Sequence, residues 1–434
     1  MSATHLSRRA LVRSLGIGGA LAVTAAGCGP NAPGPTSSDG SSTLRFSWWG
    51  NSDRAELTSA ALDAFEAAHP DTPVSGEWGG FDGYFDKLAT QTAGGGAADV
   101  FQLNEWNLRE YADRGALTDL AEHGFSVAAW EEGAAAGGQV DGTTIGATAG
   151  IGLQAVVANP QFFDEVSVEI PDDTLWTWEE YHELARELTQ KSADGSYGTS
   201  FQASDQITFG FYASQLGAEL FDRGALGIGT SEAEEWFSMW SAMVEDGTSP
   251  DPSAALENLT AEPGESLLGQ GRLGLQIIPA NIAIEFERTL GLELTLLRIP
   301  TLTGSPADLG MWYRPSMFFC TSATSAHPDL ATSLIDFLLN DVAAGEILLA
   351  DRGVPPNTEV RAAIVDQFSR ADARVVEYTE SCAPDLRTAP EPPPAGAGSH
   401  PGILGLHAED VLFGRAAPHE AARALLDELS AALG

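Results

Sequence analysis

The stretch Leu44-Arg45-Phe46-Ser47-Trp48-Trp49-Gly50-Asn51-Ser52-Asp53-Arg54 decides the fold class. Its first five residues alternate apolar and polar side chains, the period of a half-buried strand. Trp49 to Ser52 breaks the pattern. Asp53 then stands where a helix N-cap belongs, with Glu56 three residues on as a capping-box partner. Leu57, Ala60, Ala61, Ala64, Phe65 and Ala68 share one helical face, and Pro70 ends the helix. The same alternation recurs downstream. Residues 73–78 and 99–103 read as strands, and 83–92 and 108–114 as helices. Strands alternating with helices specify an α/β lobe built on a largely parallel sheet.

The remainder continues in this style. Residues 155–158, 273–278 and 317–319 read as buried strands. Thr177-Trp178-Glu179-Glu180 is a capping box that opens a helix through Leu188. Residues 191–197, with Asp194-Gly195 inside, read as a hairpin turn. Helices are predicted over 232–245, 327–340 and 419–433, and residues 384–402 are rich in Pro and Gly. At 434 residues, the chain is too long for one compact core and suits two lobes.

Charge excludes several functions. Acidic side chains number 61 against 22 basic, a net charge of −39. The only lysines are Lys87 and Lys191. No basic patch can be assembled from this inventory, which excludes phosphate-neutralising nucleic-acid binding and a polybasic membrane face. Neither lysine follows a glycine, so no P-loop exists. The eight histidines are scattered, which argues against a zinc site, and no metal or cofactor is expected.

The N-terminus reads as an address. Ser7-Arg8-Arg9 precedes the uncharged run 15–27, which is too short to span a bilayer and suits a twin-arginine signal peptide. Small residues immediately before Cys28 resemble a bacterial lipobox, with Ala25 where leucine is usual. Residues 1–27 are thus expected to be the signal. Residues 28–43, rich in Gly, Pro, Ser and Asn, are expected to form a lipid anchor and flexible tether. The alternative is an ordinary signal peptide with Cys28 incidental. Cys320 and Cys382 either pair in the oxidising exterior or stay as buried thiols.

From Leu44 to the C-terminus the chain resembles the extracellular solute-binding proteins of ABC importers, in the branch that captures sugars. The likeness is carried by LRFSWWGNSDR (44–54), FEAAHP (65–70), DGYFDKLATQ (82–91), ADVFQL (98–103), Asn159 to Phe163, the Thr177 box, GRLGLQII (271–278) and RGVPPN (352–357), in the family's order. The resemblance implies a periplasmic-binding-protein-like fold of class II type, with a ligand cleft between two α/β lobes joined by a multi-strand hinge. Crossings are expected near Gly150, Leu275 and Met311. Lobe I would then comprise 44–150 plus 276–311, and lobe II 151–275 plus 312–434. It further implies a monomeric, non-catalytic sugar receptor, lipid-anchored at the outer face of the cytoplasmic membrane, with membrane permease subunits as partners.

A sugar offers hydroxyls at its edge and C–H patches on its faces, so its site wants aromatic platforms beside Asp, Asn, Gln and Arg. Ten tryptophans in a lysine-poor chain suit this. The candidates lie where strands meet loops: Trp49, Gly50, Asn51, Asp53 and Arg54; Phe81 and Tyr84; Asn104, Glu105 and Trp106. From the second lobe and the crossings come Asp205 and Gln206, Asn281, and Trp312 and Arg314. Each has a structural alternative. Asp53 caps its helix or meets ligand, Trp106 packs its helix or the sugar, and both arginines serve ion pairs or hydroxyls. Trp176 and Trp178 read as an N-terminal staple, and Trp236 and Trp240, four apart on one helix, read as core.

Rival functions are a secreted glycoside hydrolase, which needs two carboxylates about 5–10 Å apart, and a receptor for another solute. Acidity suits a polyamine, a peptide is open, and the arginines leave room for an acidic sugar or a glycerol-phosphate compound. No Gly-x-Ser-x-Gly elbow is present, and His419-Glu420 lacks the second histidine of a zincin.

Overall fold

The computed structural model describes residues 43–434. The expected signal, most of the tether, and Cys28 lie outside the described residues. No helix among the described residues is long and apolar enough to cross a membrane.

Two sheets organise the chain. The first has five strands, in the order Val74–Gly79, Leu44–Trp49, Val100–Leu103, Phe318–Thr321, Ala147–Thr148. Leu44–Trp49 runs parallel to both neighbours, with Phe46 opposite Gly76 on one side and Val100 on the other. The strand was expected to be half-buried, but both of its faces are covered. Phe46 and Trp48 are buried, and so are Ser47 and Trp49 on the other face. A parallel strand with cover on both sides has no wet face to alternate against.

The helix that follows spans Ser52–Ala68, and its cap is Asn51 rather than Asp53. The Asn51 side-chain oxygen accepts from the Arg54 amide at 2.9 Å. Asp53 falls in the first turn, where its charge favours the helix N-terminus. Thr177 behaves as its box demands, accepting from the Glu180 amide at 3.2 Å and donating its own amide to Glu180 at 2.7 Å. The resulting helix, Trp178–Lys191, runs on past Leu188. Trp178, Trp236 and Trp240 pack into one buried aromatic group. The predicted hairpin at 191–197 does not form. Gly195 makes a turn at φ +79°, but Tyr197 leaves it to bridge Leu273 in parallel.

The second sheet places Gln154–Ala158 between Leu275–Pro279 and Thr295–Leu297, both antiparallel to it. This pairing corrects the expected lobe allocation. Residues 275–297, most of them assigned to lobe I, belong with the second sheet. Phe318–Thr321, assigned to lobe II, completes the first sheet, and the helix Pro328–Asn340 packs on it. Leu275 is therefore no crossing. Connectivity of this kind depends on which strand each partner finds, which local pattern does not encode.

The two sheets meet near Gly150. The Ala149 amide donates to Met317 and the Ser316 amide to Gly150, both at 2.9 Å, while Ile151 and Val354 exchange backbone bonds at 2.8 and 3.0 Å. Three chain segments are thus laced together at one point. A Cβ on Gly150 would lie 2.0 Å from the Arg352 carbonyl oxygen, so only glycine permits the approach. The closing helix Pro418–Leu433 packs along Thr230–Glu245 on the second side.

Cys320 and Cys382 are free and buried, so the possible disulfide is not formed. Cys320 sits in the first sheet, whereas Cys382 ends the helix Arg370–Cys382, which packs beside the second sheet. Burial pushes the Cys382 thiol up to about 11.

Candidate functional site

A cavity of about 90 Å³ opens between elements that flank the two sheets. Three of its walls come from positions singled out in the sequence. Asn104 accepts from the Asn107 amide at 3.1 Å and so starts the helix Glu105–Asp113 directly after the third strand. That cap puts Glu105 and Trp106 against the cavity. Asp205 caps the helix Gln206–Gln215, accepting from the Ile207 amide at 2.9 Å, the Thr208 hydroxyl at 2.7 Å and the Gln154 amide at 3.0 Å. Its oxygens are spent on the fold, and the neighbouring Gln206 lines the cavity. Trp312 and Arg314, on the segment passing between the sheets, close a third side. Trp312 meets Phe211 edge to face at 4.6 Å, and Gly210 keeps that corner open.

The fourth wall was not foreseen. Residues 386–394 have no regular structure and lie along the cavity as a strap, with Arg387, Glu391 and Pro392 among its lining. Arg387 donates to the Ser214 hydroxyl at 2.6 Å and pairs with Glu219 at 3.0 Å. Glu391 reaches Arg109 at 3.1 Å, which fastens the strap to the opposite side. The Pro and Gly content was visible. Its destination was not, because extended chain without internal bonds takes its course from what it lies against.

Beneath the aromatic wall lies His400. Its ring is 6.0 Å from Trp106, 6.3 Å from Phe209 and 5.8 Å from Phe221. Neither ring nitrogen has a hydrogen-bond partner among the described residues. Burial pushes its pKa down to about 4, so the ring is neutral near pH 7.

The remaining candidates do not line this cavity. Trp49 is buried in an aromatic cluster with Phe81, Tyr84 and Phe85 at 5.2–5.8 Å. Tyr84 is core: its hydroxyl lies 3.0 Å from the Ser47 carbonyl and accepts from the Gln102 amide at 3.1 Å. Burial raises its pKa well above the phenol norm. Phe81 is exposed at the edge of that cluster. Asn51 is the cap described above, and Asp53 is exposed on the first turn of its helix. Gly50 has room only for hydrogen, since a Cβ would meet the Arg54 side chain at 2.5 Å. Arg54 pairs with Asp351 at 2.9 Å, the structural role weighed for it. Asn281 is exposed on the turn after Leu275–Pro279. No cluster of metal-ligating side chains occurs among the described residues.

A family model described as bacterial extracellular solute-binding protein matches residues 60–374. The chain belongs to that family. Solved structures agree with the fold of this solute-binding protein. An extracellular solute-binding protein of family 1 from Alicyclobacillus acidocaldarius is 23% identical, with a TM-score of 0.74 over 90% of this chain and 98% of that one. A periplasmic oligogalacturonide-binding protein of Yersinia enterocolitica is 22% identical, with a TM-score of 0.77 over 91% and 100%. An ABC substrate-binding protein of Listeria monocytogenes, solved with cycloalternan, is 21% identical, with a TM-score of 0.71 over 89% and 97%. The two-lobed α/β fold of these solute-binding proteins is the fold seen here, and the family is an exported one.

Proposed function

We propose that this solute-binding protein is the saccharide receptor of an ABC importer, without catalytic activity, held at the outer face of the cytoplasmic membrane through Cys28. One observation carries the reading. The cavity lies between the helix that follows a strand of the first sheet and the helix whose cap, Asp205, holds Gln154 of the second, and it sets the aromatic rings of Trp106, Phe221 and Trp312 beside Glu105, Gln206 and Arg314. Aromatic faces take the C–H surface of a sugar ring, and the polar groups pair its hydroxyls. The oligogalacturonide and cycloalternan named for two similar proteins support the same class.

A ligand that touches both sides favours the closed arrangement by its differential affinity, and the laced segment at Gly150 is where the sides would pivot. Closure would then be the signal read by the permease. A glycosidase needs a carboxyl free to hand over a proton. The three carboxylates lining the cavity, Glu105, Glu219 and Glu391, are each engaged by an arginine.

A thermal-shift screen of the purified chain against mono- and oligosaccharides, with polyamines, peptides and glycerol phosphates as controls, tests the reading. Ligand at a hundred times its dissociation constant adds about 2.7 kcal/mol. A saccharide that raises the melting temperature and is recovered intact supports the receptor. A saccharide recovered cleaved restores the hydrolase, and a shift with polyamine alone replaces the ligand class.

A further inference from the structure

We infer that the cavity selects an uncharged saccharide and rejects uronates and other anionic sugars. The inference rests on the saccharide reading above and narrows it. The lining contains two arginines, Arg314 and Arg387, and three glutamates, Glu105, Glu219 and Glu391, so its formal balance is −1. More telling is how these charges are spent. Arg314 is ion-paired with Glu105. Arg387 divides its guanidinium between the Ser214 hydroxyl and Glu219. Arg109, which pairs with the lining residue Glu391 at 3.1 Å, is shared with Asp113 at 3.0 Å and Asp141 at 3.3 Å. The two lysines are engaged elsewhere, Lys87 by Glu77 and Lys191 by Glu187.

Recognition of a sugar carboxylate calls for a guanidinium fork open toward the ligand. Here a uronate would either displace Glu105 or Glu219 from its arginine or share that guanidinium with it, and in both cases it would lie beside the glutamate carboxylate. Like charges at such separation repel each other, which weakens binding of the anion. A hydroxyl meets no such barrier. A guanidinium has five N–H groups, and one carboxylate does not use them all, so the rest can donate to hydroxyl oxygens. The carboxylate keeps lone pairs that accept hydroxyl protons. Paired charges of this kind act as a bank of donors and acceptors with no net pull on an anion. The −39 charge of the chain works in the same direction at long range.

Isothermal titration of the full chain with matched probes tests this: glucose and galactose oligomers against the glucuronate and galacturonate oligomers of equal length. The neutral member of a pair is expected to bind at least about tenfold more tightly. Glu219→Gln releases Arg387 and should raise uronate affinity several-fold while lowering neutral affinity, because a carboxylate acceptor for the hydroxyls is lost. Glu391→Gln, on the exposed strap, is the second variant should the first fail to fold. A wild-type chain that binds the uronate more tightly overturns the inference and leaves the saccharide receptor standing. Failure of every carbohydrate to bind overturns the saccharide reading, and this inference with it.

Discussion

The guanidinium of Arg314, on the segment passing between the sheets, is ion-paired with the carboxylate of Glu105 at the start of the Glu105–Asp113 helix. The pair ties the first sheet to the crossing chain across 209 residues of sequence. Both side chains are about four-fifths buried, with relative exposures of 21% and 19%. Charge-assisted bonds in such surroundings contribute more than a surface pair. A double-mutant cycle of Arg314→Met and Glu105→Gln is expected to show coupling of about 1–2 kcal/mol in urea unfolding. Strict additivity would reduce the contact to an incidental one.

Two tryptophans should separate binding from folding. Trp312 borders the cavity while Trp49 is buried in its own cluster. Trp312→Ala is expected to weaken saccharide binding about tenfold or more, with a smaller loss of stability. Trp49→Ala should behave in the opposite way, costing about 3–5 kcal/mol of stability as a buried aromatic truncated to a cavity. Calorimetric affinity and urea midpoints on the same preparations distinguish the two.

His400 gives the fold a pH dependence of known sign. Its pKa is about 4 in the folded chain against 6.5 for an unburied histidine. The unfolded chain therefore takes up the proton first as pH falls. The stability associated with the neutral ring is full above pH 6.5 and is lost progressively down to about 4, by roughly 3 kcal/mol. His400→Phe removes this titration, so its unfolding free energy should fall less than that of wild type over the same window. Parallel pH profiles would assign the acid lability to other groups.

The crossing depends on a hydrogen atom. Gly150→Ala drives a methyl group to 2.0 Å from the Arg352 carbonyl oxygen. Backbone must move to relieve it, and the expected loss is about 1–3 kcal/mol, as for overpacking elsewhere. Gly152→Ala, a position with open space around it, is the control and should change stability little.

Anchoring is read by fractionation. Cys28→Ser is expected to move the protein from the membrane pellet to the soluble fraction, with ligand affinity unchanged. Retention on membranes would remove the lipobox reading.

Much of this was legible residue by residue. The strand at Leu44, the Thr177 capping box and the Trp236–Trp240 core each rest on contacts within one turn or one strand, where sequence spacing is spatial spacing. Of the candidate site residues, Glu105, Trp106, Gln206, Trp312 and Arg314 meet at the cavity. Trp49, Asn51, Arg54 and Tyr84 instead serve cap, ion pair and core. A Trp-rich turn after a strand looks the same in sequence whichever way its rings face. The cap moved from Asp53 to Asn51 for a similar reason, since both residue types accept from helix amides and only the backbone chooses between them.

The layered α/β class, most helix and strand positions, and the exclusion of polyanionic partners can be read from the residues alone, because they follow from local periodicity and from a charge inventory that folding does not change. Tertiary structure alone decided which sheet each later strand joined. It also brought Glu391 on the strap to Arg109, and it neutralised each arginine of the cavity with a particular glutamate. Those outcomes join residues tens to hundreds of positions apart. Their energies are set by burial, pairing distance and close approach, quantities that exist only once the chain has folded.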